Sequence, residues 1–224
     1  FLDFTYFGKD LKNLLSANIE TTIDHHKVAE QAIKSAHRYL YKLNHSGAVL
    51  AWHYFHKHKR VPKLLKYIED RDLWKFRLRK TRAILASADL VDFNFKKWGK
   101  LVSDLEKPKI REAYAKEGAS ILKYKEMVIK ELFLHADKGI FLGHRVSIVN
   151  SPILRSEIGN RLYRTKHQVA IIWNHIGGRI YVSLRSNGKI DVSKLAKRYG
   201  GGGHKAAAGF SYPIDKPLPW KYLK

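Results

Sequence analysis

The sequence predicts an α/β protein of two domains, an N-terminal mostly parallel sheet flanked by helices and a smaller α/β C-terminal domain. Three observations lead there. Over the first hundred residues, short apolar or β-branched runs alternate with helix-like segments, the pattern of a parallel sheet with crossover helices. Ile110, Tyr114, Ile121, Val128 and Leu132 then keep to one helical stripe as far as about Ala136. After Gly139 the β pattern returns and continues to the end of the chain. Domain boundaries follow at 1–109, 110–138 for a connecting helix, and 139–224.

Taken in order, Phe1-Leu2-Asp3-Phe4 reads as a short strand, and Asp10 to Ser16 as a helix with Asp10 as N-cap. Asn18 to Ile23 is β-branched and delivers Asp24-His25-His26 at its C-terminal edge, where functional groups collect in parallel sheets. Ser46 to His56 reads as a buried helix, and Lys63 to Ile68 as another that ends in Glu69-Asp70-Arg71-Asp72. In the second domain Val146–Val149, Val169–Trp173 and Ile180–Leu184 are strand-like, with Asn174 to Gly178 turning a hairpin. Helices are expected from Ile153 to Tyr163 and from Val192 to Tyr199. A further helix is expected to start in the alanines that follow Gly200–Gly203.

Composition narrows the function classes. Hydrophobic residues make up 45% of the 224, enough to build a core in each domain. No apolar run is long enough to span a bilayer, so no membrane partner is expected. The absence of cysteine excludes disulfides and thiolate metal sites, and points to an intracellular compartment, cytoplasm or mitochondrial matrix. The chain opens on Phe1 and its one methionine is Met127, the pattern of a fragment, a processed product or a partial reading.

The formal charge of +23 is uneven: residues 51–100 hold 14 basic and 5 acidic side chains, and residues 151–224 hold 14 and 3. Such a field favours a polyanionic partner, RNA before DNA, because each cation placed on a phosphate releases condensed counterions. Three clusters mix cations with aromatics: Lys57-His58-Lys59-Arg60, the stretch Trp74-Lys75-Phe76-Arg77-Leu78-Arg79-Lys80, and Lys96-Lys97-Trp98. Lys59, Arg60, Trp74, Lys75, Arg77, Arg79 and Lys80 are the candidate nucleic-acid contacts, by phosphate pairing and base stacking. Each cluster also reads as an ordinary solvated face. His53, His56 and His58 have neither cysteine nor a nearby acid to make a metal site.

Two constellations carry chemistry. Asp24-His25-His26 offers carboxylate and imidazole without thiolate, a donor set suited to manganese, magnesium or iron. Asp3, costly to bury in an apolar strand unless paired or bound to a cation, would lie beside it. Asp70 and Asp72 close a third acidic segment, which also reads as a solvated turn or helix cap. The second constellation is Gly200 to Gly203 with His204 and Lys205, where glycine lets backbone N–H groups turn toward an anion. Arg185, at the end of its strand, is a fork for phosphate.

In combination these motifs resemble the DHH phosphoesterase superfamily with its C-terminal DHH-associated domain, which includes RecJ-like nucleases, nanoRNases and cyclic-dinucleotide phosphodiesterases. Phe1-Leu2-Asp3-Phe4 is similar to the second family motif, Asp24-His25-His26 to the third, and Glu69 to Trp74 to the fourth. Gly201-Gly202-Gly203-His204 with Ala207-Ala208-Gly209 resembles the substrate-binding signature, and Ser156 to Arg161 the first helix of that domain. The resemblance implies metal ligation by Asp3, His25 and Asp70, with Asp72 the weaker match, and a catalytic setting of Asp24 and His26. Arg185, Gly201, Gly202, Gly203, His204 and Lys205 would bind substrate.

By that resemblance a His-and-Asp motif on an earlier strand should precede Asp3, so the sheet is expected to be truncated at its first strand. The retained groups would then hold one metal poorly and could not assemble a two-metal hydrolase. Two functions follow as expectations. One is a phosphodiesterase of short oligonucleotides or cyclic dinucleotides, using manganese or else magnesium, impaired or metal-free if that motif is missing. The other is a non-catalytic RNA-binding subunit of a large ribonucleoprotein such as a mitochondrial ribosome.

Overall fold

A computed structural model describes residues 1–17, 19–165 and 167–223. Asn18, expected to open a strand, and Lys224, at the end of the second domain, lie outside the described residues. The chain divides into two compact units, Phe1–Lys123 and Tyr124–Lys224. Among the described residues no helix is long and apolar enough to cross a membrane.

The first unit is built on parallel pairing. β1 (Thr21–Asp24) lies parallel to β2 (Arg38–Tyr41), in the register Thr21 to Arg38 through Asp24 to Tyr41. On its other edge Leu2 makes a parallel bridge to Ile23. The Asp3 N–H donates to the Ile23 carbonyl at 2.8 Å, and the Ile23 N–H donates to that of Phe1 at 2.9 Å. Pairing therefore sets Asp3 beside the end of β1. β2 was not foreseen, because Arg38-Tyr39-Leu40-Tyr41 is partly exposed and has no apolar alternation.

α1 (Gly8–Ala17) begins two residues before the expected cap, so Asp10 sits within its first turn, where a carboxylate favours the N-terminal end of the helix dipole. A short 3-10 turn (Lys27–Ala29) and α2 (Glu30–Lys34) connect β1 to β2. α3 (Gly47–Phe55) is capped by the Ser46 hydroxyl, which accepts the Val49 N–H. α4 (Lys63–Asp72) runs one turn further than expected, so its acidic segment is helical rather than a turn. α5 (Thr81–Ala88), α6 (Phe95–Glu106) and the long α7 (Pro108–Leu134) follow.

Leu64 and Tyr67 of α4, Ile84 and Leu85 of α5, Leu101 and Leu105 of α6, and Ala115 of α7 share one core. α7 is not a bare connector. Its first half belongs to this core, while Ile129, Leu132 and Phe133 belong to a core of the second unit.

The second unit holds β3 (Asp137–Phe141), β4 (His144–Asn150), α8 (Arg155–Leu162), β5 (Val169–Ile176), β6 (Arg179–Ser186), α9 (Val192–Lys197), β7 (Gly202–His204), β8 (Ala207–Pro213) and β9 (Lys221–Tyr222). The seven strands form one sheet in the order β7-β8-β6-β5-β4-β3-β9, antiparallel except for β4 with β5. Val169 and Ile171 enter one core and Ala170 and Ile172 the other, so β5 is buried on both faces. That is why it reads as an unbroken apolar run.

The β5–β6 hairpin turns through Gly177 and Gly178, with φ of 56° and 76°, the primed geometry that suits strand twist. The alanines after the glycine run do not begin a helix. Ala207-Ala208-Gly209 lie in β8, between β6 and β7, because the sheet core needs small residues where β7 crosses closely. A Cβ on Gly201 would stand 2.1 Å from the Gly209 carbonyl oxygen.

Gly118 in α7 offers a test of close packing in the first unit. An added Cβ would lie 1.7 Å from the Ala83 carbonyl oxygen of α5. Alanine normally stabilises a helix interior by about 1 kcal/mol relative to glycine. Here Gly118→Ala is expected to destabilise by about 2 kcal/mol in urea unfolding, the cost of overpacking; a stabilised variant would show that α5 and α7 are not in contact.

Candidate metal centre

The site begins where β1 ends. Asp24 is buried, and its carboxylate accepts the N–H groups of His25 at 2.6 Å and His26 at 3.0 Å and the Thr5 hydroxyl at 3.0 Å. The His26 ring meets it through Nδ1 at 2.6 Å. Burial alone would raise the Asp24 pKa. The His26 ring, the two N–H groups and the Thr5 hydroxyl outweigh that and hold it at about 2. The Asp24 hydrogen bond raises the His26 pKa against the opposing effect of burial.

Asp24 was expected to be catalytic. In the structure its oxygens bond the following loop, the Thr5 hydroxyl and the His26 ring.

The His25 ring points the other way. Its Nε2 is buried, has no hydrogen bond among the described residues, and faces Asp3 Oδ1 at 3.3 Å and Asp72 Oδ2 at 3.4 Å. His26 Nδ1 lies 3.8 Å from the same Asp3 oxygen. Ligand atoms of Asp3, His25 and His26 all fall within 4.8 Å of one another. Burial, reinforced by the Asp3 charge, raises the Asp72 pKa although His25 opposes it. Two carboxylates, each partly open to solvent, and a buried imidazole nitrogen converge in one place, an arrangement that suits a cation. The donors are oxygen and nitrogen alone, which fits manganese or magnesium.

Asp70, expected as a metal ligand, is not in this cluster. Residues two apart on an α-helix point about 200° apart. Asp72 therefore faces His25 while Asp70 turns inward. Its carboxylate accepts the N–H groups of Arg77 at 2.7 Å and Leu78 at 3.0 Å and the Thr81 hydroxyl at 2.5 Å. Its backbone carbonyl takes Lys75 N–H at 2.9 Å and Phe76 N–H at 3.1 Å. Burial opposes ionisation, but the Thr81 hydroxyl and these N–H groups keep the Asp70 pKa below its ordinary value.

Sequence reasoning also passed over Gly47. A Cβ there would stand 2.3 Å from Asp3 Oδ1, so only glycine leaves room for that carboxylate at the start of α3. The signal was a glycine opening an apolar helical run with no turn to require it.

The expected nucleic-acid contacts Lys59, Arg60, Trp74, Lys75, Arg77, Arg79 and Lys80 are all exposed. Lys80 pairs with Glu112, and Arg82 covers one face of Phe76 at 3.8 Å. Among the described residues His53, His56 and His58 form no ligand cluster.

In the second unit Arg185 pairs across β6 and β8 with Ala207, which pairs across β8 and β7 with His204. Directly opposed residues share a face, so Arg185 and His204 flank a floor of one methyl group. Arg185 donates through Nη2 to the Ser156 hydroxyl at 2.9 Å, and Gly159 gives α8 room to pack on it. Burial, and then the nearby Arg155 charge, lower the Arg185 pKa. Lys205 is exposed at the β7–β8 turn.

The glycine run does not aim a row of N–H groups at an anion, as was expected. The Gly200 and Gly201 N–H groups close the end of α9 on the Lys197 and Ala196 carbonyls, and Gly202 and Gly203 form β7. Gly201 and Gly203 allow β7 and β8 to approach closely.

A family model described as the DHHA1 domain matches residues 141–217. The chain is 29% identical over 232 aligned residues to uncharacterized protein R106 of Acanthamoeba polyphaga mimivirus, covering 98% of this chain and 54% of that one. It is 38% identical over 121 residues to oligoribonuclease NrnB of Bacillus subtilis, covering 54% of this chain and 27% of that one. The chain thus spans at most about half the length of these two relatives. Among solved structures, RecJ of Thermus thermophilus in complex with Mn2+ matches at a TM-score of 0.50 and 16% identity, over 94% of this chain and 41% of that one.

The geometry can be tested at both aspartates of α4 and at Asp24. Asp72→Asn is expected to weaken Mn2+ binding by roughly tenfold or more in calorimetry. Asp70→Asn should leave that affinity within a few-fold and lower stability by about 2 kcal/mol; the reverse pattern would restore Asp70 as the ligand. The depressed Asp24 pKa adds stability that is present above its unfolded value near 3.8 and lost as pH falls through about 2. In EDTA, wild type should therefore lose about 2 kcal/mol more than Asp24→Asn between pH 5 and 2, read from urea midpoints. Parallel acid limbs would show that the Asp24 network is not formed.

Proposed function

Because the chain belongs to the DHH superfamily, we propose that it is a divalent-metal-dependent phosphoesterase that hydrolyses phosphodiester bonds of short oligonucleotides. The observation that carries this reading is the buried His25 Nε2, without a hydrogen bond among the described residues and facing the carboxylates of Asp3 and Asp72. Asp3, His25 and Asp72, with His26 beside them, would hold one cation, manganese before magnesium. Such a cation supplies Lewis acidity at a phosphoryl oxygen.

The chain's own groups do the rest. Asp24 fixes the His26 ring through Nδ1 and favours its protonated form, so Nε2 is the nitrogen through which His26 hands a proton to the departing oxygen. Arg185 and His204, side by side on the sheet of the second unit, are suited to a substrate phosphate. The oligoribonuclease among the relatives supports short RNA as the first substrate to try.

A second reading, a non-catalytic RNA-binding subunit of a ribonucleoprotein, is favoured by the charge of +23, more than a short substrate requires. One assay separates the two. Release of mononucleotide from an RNA dimer in Mn2+ is expected for wild type, and to fall at least a hundredfold in His25→Ala. Absence of release by wild type, or equal rates in both, would remove the enzyme reading and leave RNA binding.

A further inference from the structure

Beside the metal cluster, the first unit contains a cavity of about 320 Å³ that neither function of the site uses. Its apolar lining comes from Val49, Val61 and the exposed Leu78, and Lys66, Lys75 and Arg77 with His45 and His53 supply its polar lining. The acidic groups on its wall are already engaged. Glu69 accepts the Ser46 N–H and the His45 ring, each at 3.0 Å, and Asp70 accepts the loop N–H groups described above. Lys75 donates to the Asn44 carbonyl at 3.3 Å. Among the described residues neither Lys66 nor Arg77 has a carboxylate partner within 4 Å, so the polar lining keeps an excess of positive charge.

The loop that forms one side of this cavity is cast in an expensive shape. Trp74, Phe76 and Lys80 have φ of 53°, 47° and 64°, a region that non-glycine residues occupy at a cost of about 1 kcal/mol or more each. Asp70 sustains that shape with five accepted hydrogen bonds. These bonds fix the backbone path that presents Lys75 and Arg77. Glu69 on the cavity wall stands one helical turn before Asp72 of the metal cluster and accepts the N–H of Ser46, which precedes Gly47, the glycine that packs on Asp3.

We propose that this cavity is a nucleotide subsite, with a base on Val49, Val61 and Leu78 and its phosphate between Lys66 and Arg77. The volume falls in the range of small-ligand pockets, and an apolar lining with a few convergent cations matches a nucleotide better than a bare anion. The subsite rests on the phosphodiesterase reading for one point only: it holds the nucleotide next to the bond cut at the metal cluster.

The test measures binding without metal, so it stands apart from hydrolysis. Anisotropy of a 3′-labelled tetraadenylate is followed in EDTA for wild type, Lys66→Ala with Arg77→Ala, and Val61→Phe, each checked for folding by circular dichroism. The double variant is expected to bind about tenfold more weakly and to lose about 0.7 from the slope of log K against log salt, one neutralised phosphate on a single strand. Val61→Phe, which fills the apolar lining and leaves the charge, should weaken binding about tenfold with the slope unchanged. Val61→Phe binding like wild type would overturn the subsite in favour of diffuse surface charge, and so would failure of wild type to bind. Tight binding by wild type with both variants impaired, in a protein that releases no nucleotide in Mn2+, would sink the enzyme reading and leave the subsite standing.

Discussion

The candidate metal centre depends on one buried carboxylate, that of Asp24. Asp24 accepts the Thr5 hydroxyl, which ties the first residues of the chain to the end of β1, and it accepts both histidine N–H groups that follow it. With those bonds made, His26 is clasped and His25 is turned outward to Asp3 and Asp72. An unpaired carboxylate at that depth would be destabilising by several kcal/mol, so the network and the ionised state require each other.

The end of α4 makes a second division of labour from the helical repeat. Two aspartates two positions apart cannot serve one site, and here they serve two. Asp72 faces the histidines, and Asp70 holds a strained basic loop whose three left-handed residues would not persist without it. A chemically plain helix terminus thus borders both the candidate metal cluster and the cavity lined by Lys66 and Arg77.

In the second unit the same economy of space appears in backbone form. Gly201, Gly203 and Gly209 let β7 and β8 approach more closely than any side chain would allow, and Gly159 lets α8 settle on Arg185. Close approach places Arg185 and His204 on either side of Ala207.

Much of this was legible in the sequence. The strand at Val169–Trp173, a hairpin ending at Gly178, the long α7 and the setting of Asp3 beside Asp24-His25-His26 follow from periodicity, turn chemistry and strand pairing, although Asn174–Ile176 prolong β5 rather than turn and Asp3 is exposed rather than buried. These are local signals, or signals of one strand against its neighbour. The resemblance placed Asp70 ahead of Asp72, whereas in the structure it is Asp72 that faces His25, because the helix continues through both and turns Asp70 inward. Nor could it tell that the alanines after the glycine run form a strand, since short apolar runs take their state from the sheet they join. Residue types and spacing determined which chemistry the chain can hold; the packing of α3 against β1 and α4, and the pairing of Phe1–Asp3 with β1, decided which of those residues share a site.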